Sequence, residues 1–291
     1  MTLRLGTAGW SYTDWAGIVY PHPRPKGFDE LSFLSEHFSV LEINSTFYHP
    51  PSARTAQSWV RRVSAHPQFR FTAKLWGRFT HQNEPLQPDD VQIFLQGIQP
   101  LADAGLLGAL LVQFPWSFRK GKAEGIRLLR LIEAFRICPL VLEVRHSSWN
   151  DEAVFEFLKK YKVGFCNIDQ PIMDASLTPS SQVTSPIGYF RLHGRNYQNW
   201  FRENAGRNQR YDYLYDQKEL ESLAGLIQKI IQQAEDTYVI ANNHFRGQAA
   251  CNALELQKIL TGSQPPIPSS LQQHYPRLTH SGGVQMVIGD R

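Results

Sequence analysis

Three pairs of polar residues stand two positions apart at the ends of short apolar stretches: Glu42 with Asn44, Glu143 with Arg145, and Arg191 with His193. Residues two apart on an extended strand share a face, so each pair projects together. Glu42, Glu143 and His193 are types that can give or take a proton, the last having an unperturbed pKa near neutrality. They are therefore the candidate catalytic residues. Lys74, Arg145, Arg191 and Arg195 follow comparable stretches, and guanidinium forks match carboxylate or phosphate oxygens in pairs. Four cations against three carboxylates (Glu42, Glu143 and Asp169) predict a positively charged pocket for an anionic ligand. The simpler alternative is mutual neutralisation, Glu42 with Lys74 and Glu143 with Arg145 or Arg191, because an unpaired buried charge is costly.

Further polar and aromatic candidates occupy similar places. Trp10, Asn44, Tyr48, Asn242, Asn243 and His244 join the expected ligand-binding set, the aromatics as surfaces for a planar or sugar ring. Trp15, Trp76 and Trp149 fit loop packing better than binding. His146, His193 and His244 with Glu42, Glu143 and Asp169 have the donor chemistry of a Zn or Mn site. None of them has a diagnostic spacing such as H-E-x-x-H, so a divalent metal is not favoured and the cofactor is left unassigned. Arg202, Arg207 and Arg210 read more simply as a solvated face than as phosphate contacts.

These residues need elements to bring them together. Eight strand-like runs are legible, at Leu3–Thr7, Val40–Asn44, Phe69–Leu75, Leu107–Phe114, Leu140–Val144, Val163–Ile168, Ile187–Leu192 and Thr237–Ala241. Helical periodicity falls between most of them: Phe28–Phe38 (with Asp29 as N-cap), Thr55–Ser64, Asp89–Ala104, Gly125–Phe135, Asp151–Lys160, Gln217–Ala234 and Gln248–Leu260. Pro171–Ser185, rich in Ser, Thr and Pro, reads as a loop. Strict alternation predicts an α/β (β/α)8 barrel of TIM type, whose functional groups gather at the carboxyl ends of the strands. An open doubly wound sheet is less consistent, since Gly6-Thr-Ala-Gly9 lacks the G-x-G-x-x-G phosphate turn. Residues 1–261 are expected to form this single domain, and the proline- and glycine-containing stretch 262–291 a C-terminal tail.

Composition agrees with that class. The 291 residues are 42% hydrophobic and 19% charged, and 30 Lys and Arg against 26 Asp and Glu leave a net charge of +4. Such a balance does not by itself point to nucleic acid. No apolar run approaches the ~20 residues of a membrane span, and the N-terminus has no signal-peptide core. Cys138, Cys166 and Cys251 are scattered and odd in number, as expected of reduced thiols in the cytoplasm.

Six segments together resemble the YecE-like family, a domain of unknown function. They are Gly6-Thr-Ala-Gly-Trp-Ser-Tyr12 with Trp15, Glu42-Ile-Asn-Ser-Thr-Phe-Tyr48, Phe71-Thr-Ala-Lys74, Glu143-Val-Arg-His146 with Trp149, Tyr189-Phe-Arg-Leu-His-Gly-Arg-Asn196, and Asn242-Asn-His-Phe-Arg-Gly-Gln248. The resemblance runs in order from about residue 3 to about residue 260, and implies a TIM-type barrel without supplying a reaction. The functional expectation is an enzyme, hydrolase or isomerase, that takes a small phosphate- or carboxylate-bearing partner at the barrel mouth. The alternatives are a metal-dependent phosphodiesterase or nuclease acting on nucleic acid, and a non-enzymatic metabolite-binding protein. No membrane partner is expected, and no feature of the sequence assigns an oligomeric state.

Overall fold

Strands covered on both faces must be almost wholly apolar, and here they are. The computed structural model describes residues 1–279 except Asp174, Phe201, Glu203 and Ala205. Its strands are β1 (Thr2–Ala8), β2 (Val40–Ile43), β3 (Arg70–Lys74), β4 (Leu107–Gln113), β5 (Leu140–Glu143), β6 (Gly164–Asp169), β7 (Ile187–Leu192) and β8 (Asp236–Ala241). All neighbours pair in parallel, and β8 pairs with β1 to close the barrel. The expected fold is therefore the observed one, a (β/α)8 TIM barrel. None of its described helices is long and apolar enough to cross a membrane.

Register puts the polar residues at one end. Ala8 pairs with Glu42, Glu42 with Thr72, Gln113 with Glu143, and Ile168 with Arg191. Alternation then separates the two faces. Thr72 and Glu42 meet the Tyr189 hydroxyl inside the barrel, whereas Phe190 and Leu192 face outward into an apolar cluster with Leu220, Leu223 and Ile227. The floor is closed by Tyr238 from β8, which reaches Gly108 on β4. A Cβ there would lie 2.4 Å from the Tyr238 hydroxyl, so the position admits only glycine.

The outer layer comprises α1 (Glu30–Ser35), α2 (Ala53–Arg62), α3 (Gly77–His81), α4 (Pro88–Asp103), α5 (Lys122–Ala134), α6 (Glu152–Lys160), α7 (Arg207–Arg210), α8 (Gln217–Ile231), α9 (Gln248–Thr261) and α10 (Ser269–His274). Local chemistry starts several of them. Asp29 accepts from the Ser32 N–H at 2.7 Å, as expected, and Asp216 with Glu219 forms a capping box on α8. Between β6 and β7 the described residues contain no helix. Asn167 holds that loop instead, accepting from Ser180 Oγ at 2.7 Å and donating to the Gln182 carbonyl at 2.9 Å.

The stretch after residue 261, expected to be a tail, begins as a docked segment. Leu271 and Leu278 are buried. Ser270 Oγ donates to the Val19 carbonyl at 2.9 Å, and Arg277 pairs with Glu255 at 2.6 Å. Prolines dominated the composition here, but Leu271, Tyr275 and Leu278 follow at helical spacing and supply an apolar face. Residues 280–291 lie outside the described residues. Leu271→Ala should lower stability by about 2–4 kcal/mol in urea unfolding, the usual cost of truncating a buried leucine. A change under about 0.5 kcal/mol, typical of surface substitutions, would mean that α10 does not hold the barrel closed.

Candidate functional site

β7 supplies the axis of the site. Tyr189, Arg191 and, just past the strand, His193 project inward at successive heights. At the lowest level the Tyr189 hydroxyl is hydrogen-bonded to Glu42 Oε2 at 3.0 Å and to Thr72 Oγ1 at 2.9 Å. One layer up, Arg191 bridges two strands on the opposite side: Nη2 donates to Glu42 Oε1 at 2.6 Å and Nη1 to Glu143 Oε2 at 2.5 Å. Arg191 is 1% exposed and both carboxylates are fully buried. Arg145 adds a second cation, its Nε donating to Glu143 Oε1 at 3.1 Å.

His193 sits beside the same carboxylate. Its Nε2 lies 3.2 Å from Glu143 Oε1, close but not aligned as a good hydrogen bond, and its Nδ1 lies 3.0 Å from Asn242 Nδ2. An amide nitrogen can only donate, so Nδ1 accepts and the proton of the neutral ring rests on Nε2 facing Glu143. Burial, with Arg145 and Arg191 nearby, pushes His193 down to about 3, so the ring is neutral at pH 7. Burial alone would raise the Glu143 pKa, but Arg191 and Arg145 hold it well below the usual carboxylate range. Glu143 therefore stays ionised and balances guanidiniums.

Above this layer opens a cavity of about 490 Å³. Lys74, Arg145, Arg191 and Arg210 line it, together with Asn44, Tyr48, Gln113 and Asn242, and among the described residues no carboxylate does. Lys74 is held from two sides: Nζ donates to Gln113 Oε1 at 3.0 Å and lies 4.3 Å from the centre of the Phe47 ring. No Asp or Glu forms an ion pair with it among the described residues, contrary to the sequence alternative that paired it with Glu42. Burial and then Arg191 lower its pKa to about 7, against opposing pulls from Glu42 and Glu143. His81, on the same wall, is pushed down to about 4 by burial and then by Lys74. A larger groove of about 690 Å³ lies along α4, with Ala53 and Ala134, and contains no ionisable side chain.

The structure gathers part of the expected set and disperses the rest. Lys74, Arg145, Arg191, Asn44, Tyr48 and Asn242 line the cavity. Glu42 and Glu143 lie beneath it rather than in it, bound to the arginines that face it, and His193 lies beside Glu143. Trp10 lines an adjacent cleft of about 290 Å³, which shares Asn44 and Tyr48 with the cavity. Arg195 is elsewhere: Gly194, at a φ of +86°, turns the chain, and Arg195 pairs with Asp169 at 2.8 Å and Glu219 at 3.0 Å. Asn243 is a structural residue, donating to the Tyr213 carbonyl and to Asn252. His244 stacks on Tyr12 with ring centres 4.5 Å apart. His146 accepts from the Ser148 N–H at its own loop. No three His, Cys, Asp or Glu side chains converge as metal ligands among the described residues, so the proposed histidine and carboxylate set is not assembled. Phe47, His81, Trp116 and Tyr211 of the cavity wall were missed from sequence. Three of them follow strands β2, β3 and β4 within a few residues, a signal that was present but not specific.

These features define a TIM barrel with a cation-lined cavity at the carboxyl ends of its strands. A family model described as "Protein of unknown function DUF72" matches residues 4–276, and the chain belongs to that family, the YecE-like family of the sequence resemblance. A relative, the UPF0759 protein YunF of Bacillus subtilis (strain 168), is 28% identical over 271 residues, covering 88% of this chain and 94% of its own. The crystal structure of a DUF72 family protein from Thermotoga maritima superposes with a TM-score of 0.78 at 34% identity, covering 89% of this chain and 99% of that one. A DUF72 family protein from Enterococcus faecalis gives 0.79 at 27% identity, covering 90% and 96%. The matched range extends past residue 261, into the segment that α10 docks.

The buried bridge has a pH signature. In the intact protein, His193 binds its proton only near pH 3 but in the unfolded chain near 6.5, so stability falls on acidification through that window. Glu143, lowered in the folded state, acts in the same direction. Arg191→Met strands two carboxylates in the interior, which then favour protonation, so the folded state holds more protons than the unfolded one. This variant should lose about 3–5 kcal/mol at pH 8 and recover part of it at pH 5. Urea melts of both proteins at both pH values read the sign, and a loss relative to the unsubstituted protein that is larger at pH 5 than at pH 8 contradicts the bridge.

Proposed function

We propose that the chain is an enzyme that binds a small molecule bearing a phosphate or carboxylate in the cavity at the barrel mouth. One observation carries the reading: four cations line that cavity and, among the described residues, no carboxylate does, because Glu42 and Glu143 are buried below and already matched by two guanidiniums. An anion would then meet a cationic wall, in a site whose low water content strengthens the interaction relative to bulk water. Supporting observations are the volume, within the usual range for small-molecule sites, and the position at the carboxyl face, where TIM barrels carry their active sites. Arg145 and Arg210 supply fixed charge, while Lys74 supplies charge that depends on pH. Glu42, Glu143 and His193 act as positioning residues for Arg191 and Arg145. The nuclease alternative is not favoured, since it was built on histidines that the fold sends to different places.

Inorganic phosphate should raise the melting temperature and bind measurably by calorimetry, with affinity falling as pH rises through about 7, where Lys74 loses its proton. Glu42, Glu143, Arg145, Arg191 and His81 are the charged or titratable groups facing that amine. Lys74 should take up a proton as an anion binds near neutrality, read most directly with sulfate, which does not itself titrate there. Lys74→Met should weaken binding about 5- to 20-fold at pH 6, in line with about 1–2 kcal/mol for one charge-assisted contact, and flatten the pH dependence. No stabilisation by phosphate, sulfate or simple carboxylates, together with no turnover in a screen of sugar phosphates and phosphate esters, rejects the reading.

A further inference from the structure

Lys74 differs from the other cations of the cavity in how it is held. Arg191 and Arg145 are tied to carboxylates. The Lys74 amine is positioned by a neutral amide and an aromatic ring, Gln113 and Phe47, with no carboxylate partner among the described residues. The Gln113 amide is itself oriented, its Nε2 donating to the Phe114 carbonyl at 2.7 Å. The base of the lysine is fixed too, since Thr46 Oγ1 donates to the Lys74 carbonyl at 2.7 Å. The result is a primary amine on a rigid strand end, facing an open cavity, beside guanidiniums that can anchor an anion.

We propose that the Lys74 amine is a nucleophile that forms an imine with an aldehyde or ketone whose phosphate or carboxylate is held by Arg145 and Arg210. This deepens the anion-binding reading and rests on it. The neutral Nζ adds its lone pair to the carbonyl carbon, a C–N bond forms, and the nitrogen proton passes to the carbonyl oxygen. The second nitrogen proton then leaves with that oxygen as water, the nitrogen lone pair forming the C=N bond of the imine with no change of oxidation state. His81 lines the same cavity and is neutral at pH 7, so it can relay the proton. The low proton affinity of Lys74 serves this chemistry, because only the unprotonated amine attacks. At pH 7.5 an ordinary lysine is unprotonated about one part in a thousand, whereas Lys74 is largely so.

The test uses pyridoxal 5′-phosphate as an anionic aldehyde, pyridoxal as its counterpart without phosphate, and sodium cyanoborohydride to trap imines as secondary amines. Peptide mass mapping of the full-length protein reads the site. Pyridoxal phosphate should label Lys74 at least about tenfold faster than the exposed Lys159, given the difference in free-amine fraction. The rate should have a midpoint near pH 7, and inorganic phosphate should slow it. Lys74→Arg should lose the adduct, and mapping of the unsubstituted protein stands whether or not that variant folds. Labelling spread over surface lysines, with phosphate still raising the melting temperature, overturns the nucleophile and leaves the anion site standing. Fast labelling of Lys74 by both aldehydes, with no protection by phosphate and no phosphate effect on melting, overturns the anion reading and, with it, this proposal's substrate class.

Discussion

A guanidinium buried at the centre of the barrel sets the terms for the rest of the structure. Arg191 joins β7 to β2 through Glu42 and to β5 through Glu143, so one side chain ties together three strands. A cation taken out of water is tolerable only where it is fully paired, and an acid buried beside it has the same requirement. Two acids on one guanidinium leave a negative excess, which Arg145 removes at Glu143. That layer is then balanced: two carboxylates, two guanidiniums, with the Tyr189 hydroxyl, itself bonded to Thr72, meeting Glu42 from below. One further cation above it has no carboxylate partner among the described residues.

That residual charge is Lys74. The sequence allowed a neutral pairing of Lys74 with Glu42, and the barrel register brings the two strands side by side. Glu42 is nevertheless committed elsewhere, to Arg191 and Tyr189, and so the amine turns to Gln113 and Phe47. A protonated lysine beside a balanced layer adds one uncompensated charge to a region of low water content. Its affinity for the proton falls accordingly, and the nearest external means of restoring it is a bound anion. Burial first, and then Arg191, depress the pKa of Lys74, and an anion bound in the cavity would raise it again.

The barrel was legible because its strands are buried on both faces and read as apolar runs, while the helices between them carry caps and a repeating apolar stripe. The inward set on the strands was legible for the same reason, since parity alone places Glu42, Glu143 and Arg191 on one face. Legibility ended where the strands did. Arg191 and Arg195 belong to one short motif, yet Gly194 redirects the chain between His193 and Arg195, and the second arginine goes to Asp169 and Glu219 outside the cavity. Asn242 and Asn243 are adjacent in sequence and serve different ends, one facing His193 and the other bracing Asn252. Loop conformation of this kind is decided by tertiary packing, which periodicity does not encode.

Composition was similarly a poor guide to the segment after residue 261, where prolines outweighed three buried apolar residues in the reading. The same limit applies to the charges. Their total, +4, says little, and even their positions along the strands overstated the acids available to the mouth. Glu42 and Glu143 were counted as proton carriers because of where they fall in sequence; both are instead committed to Arg191, and the guanidiniums hold Glu143 well below the usual carboxylate range. A carboxylate surrounded by guanidiniums gives up the capacity to titrate near neutrality, and what it provides in return is a rigid, correctly aimed cation. The buried layer thereby leaves Lys74, among the described residues, without a carboxylate partner and held by an amide and a ring alone.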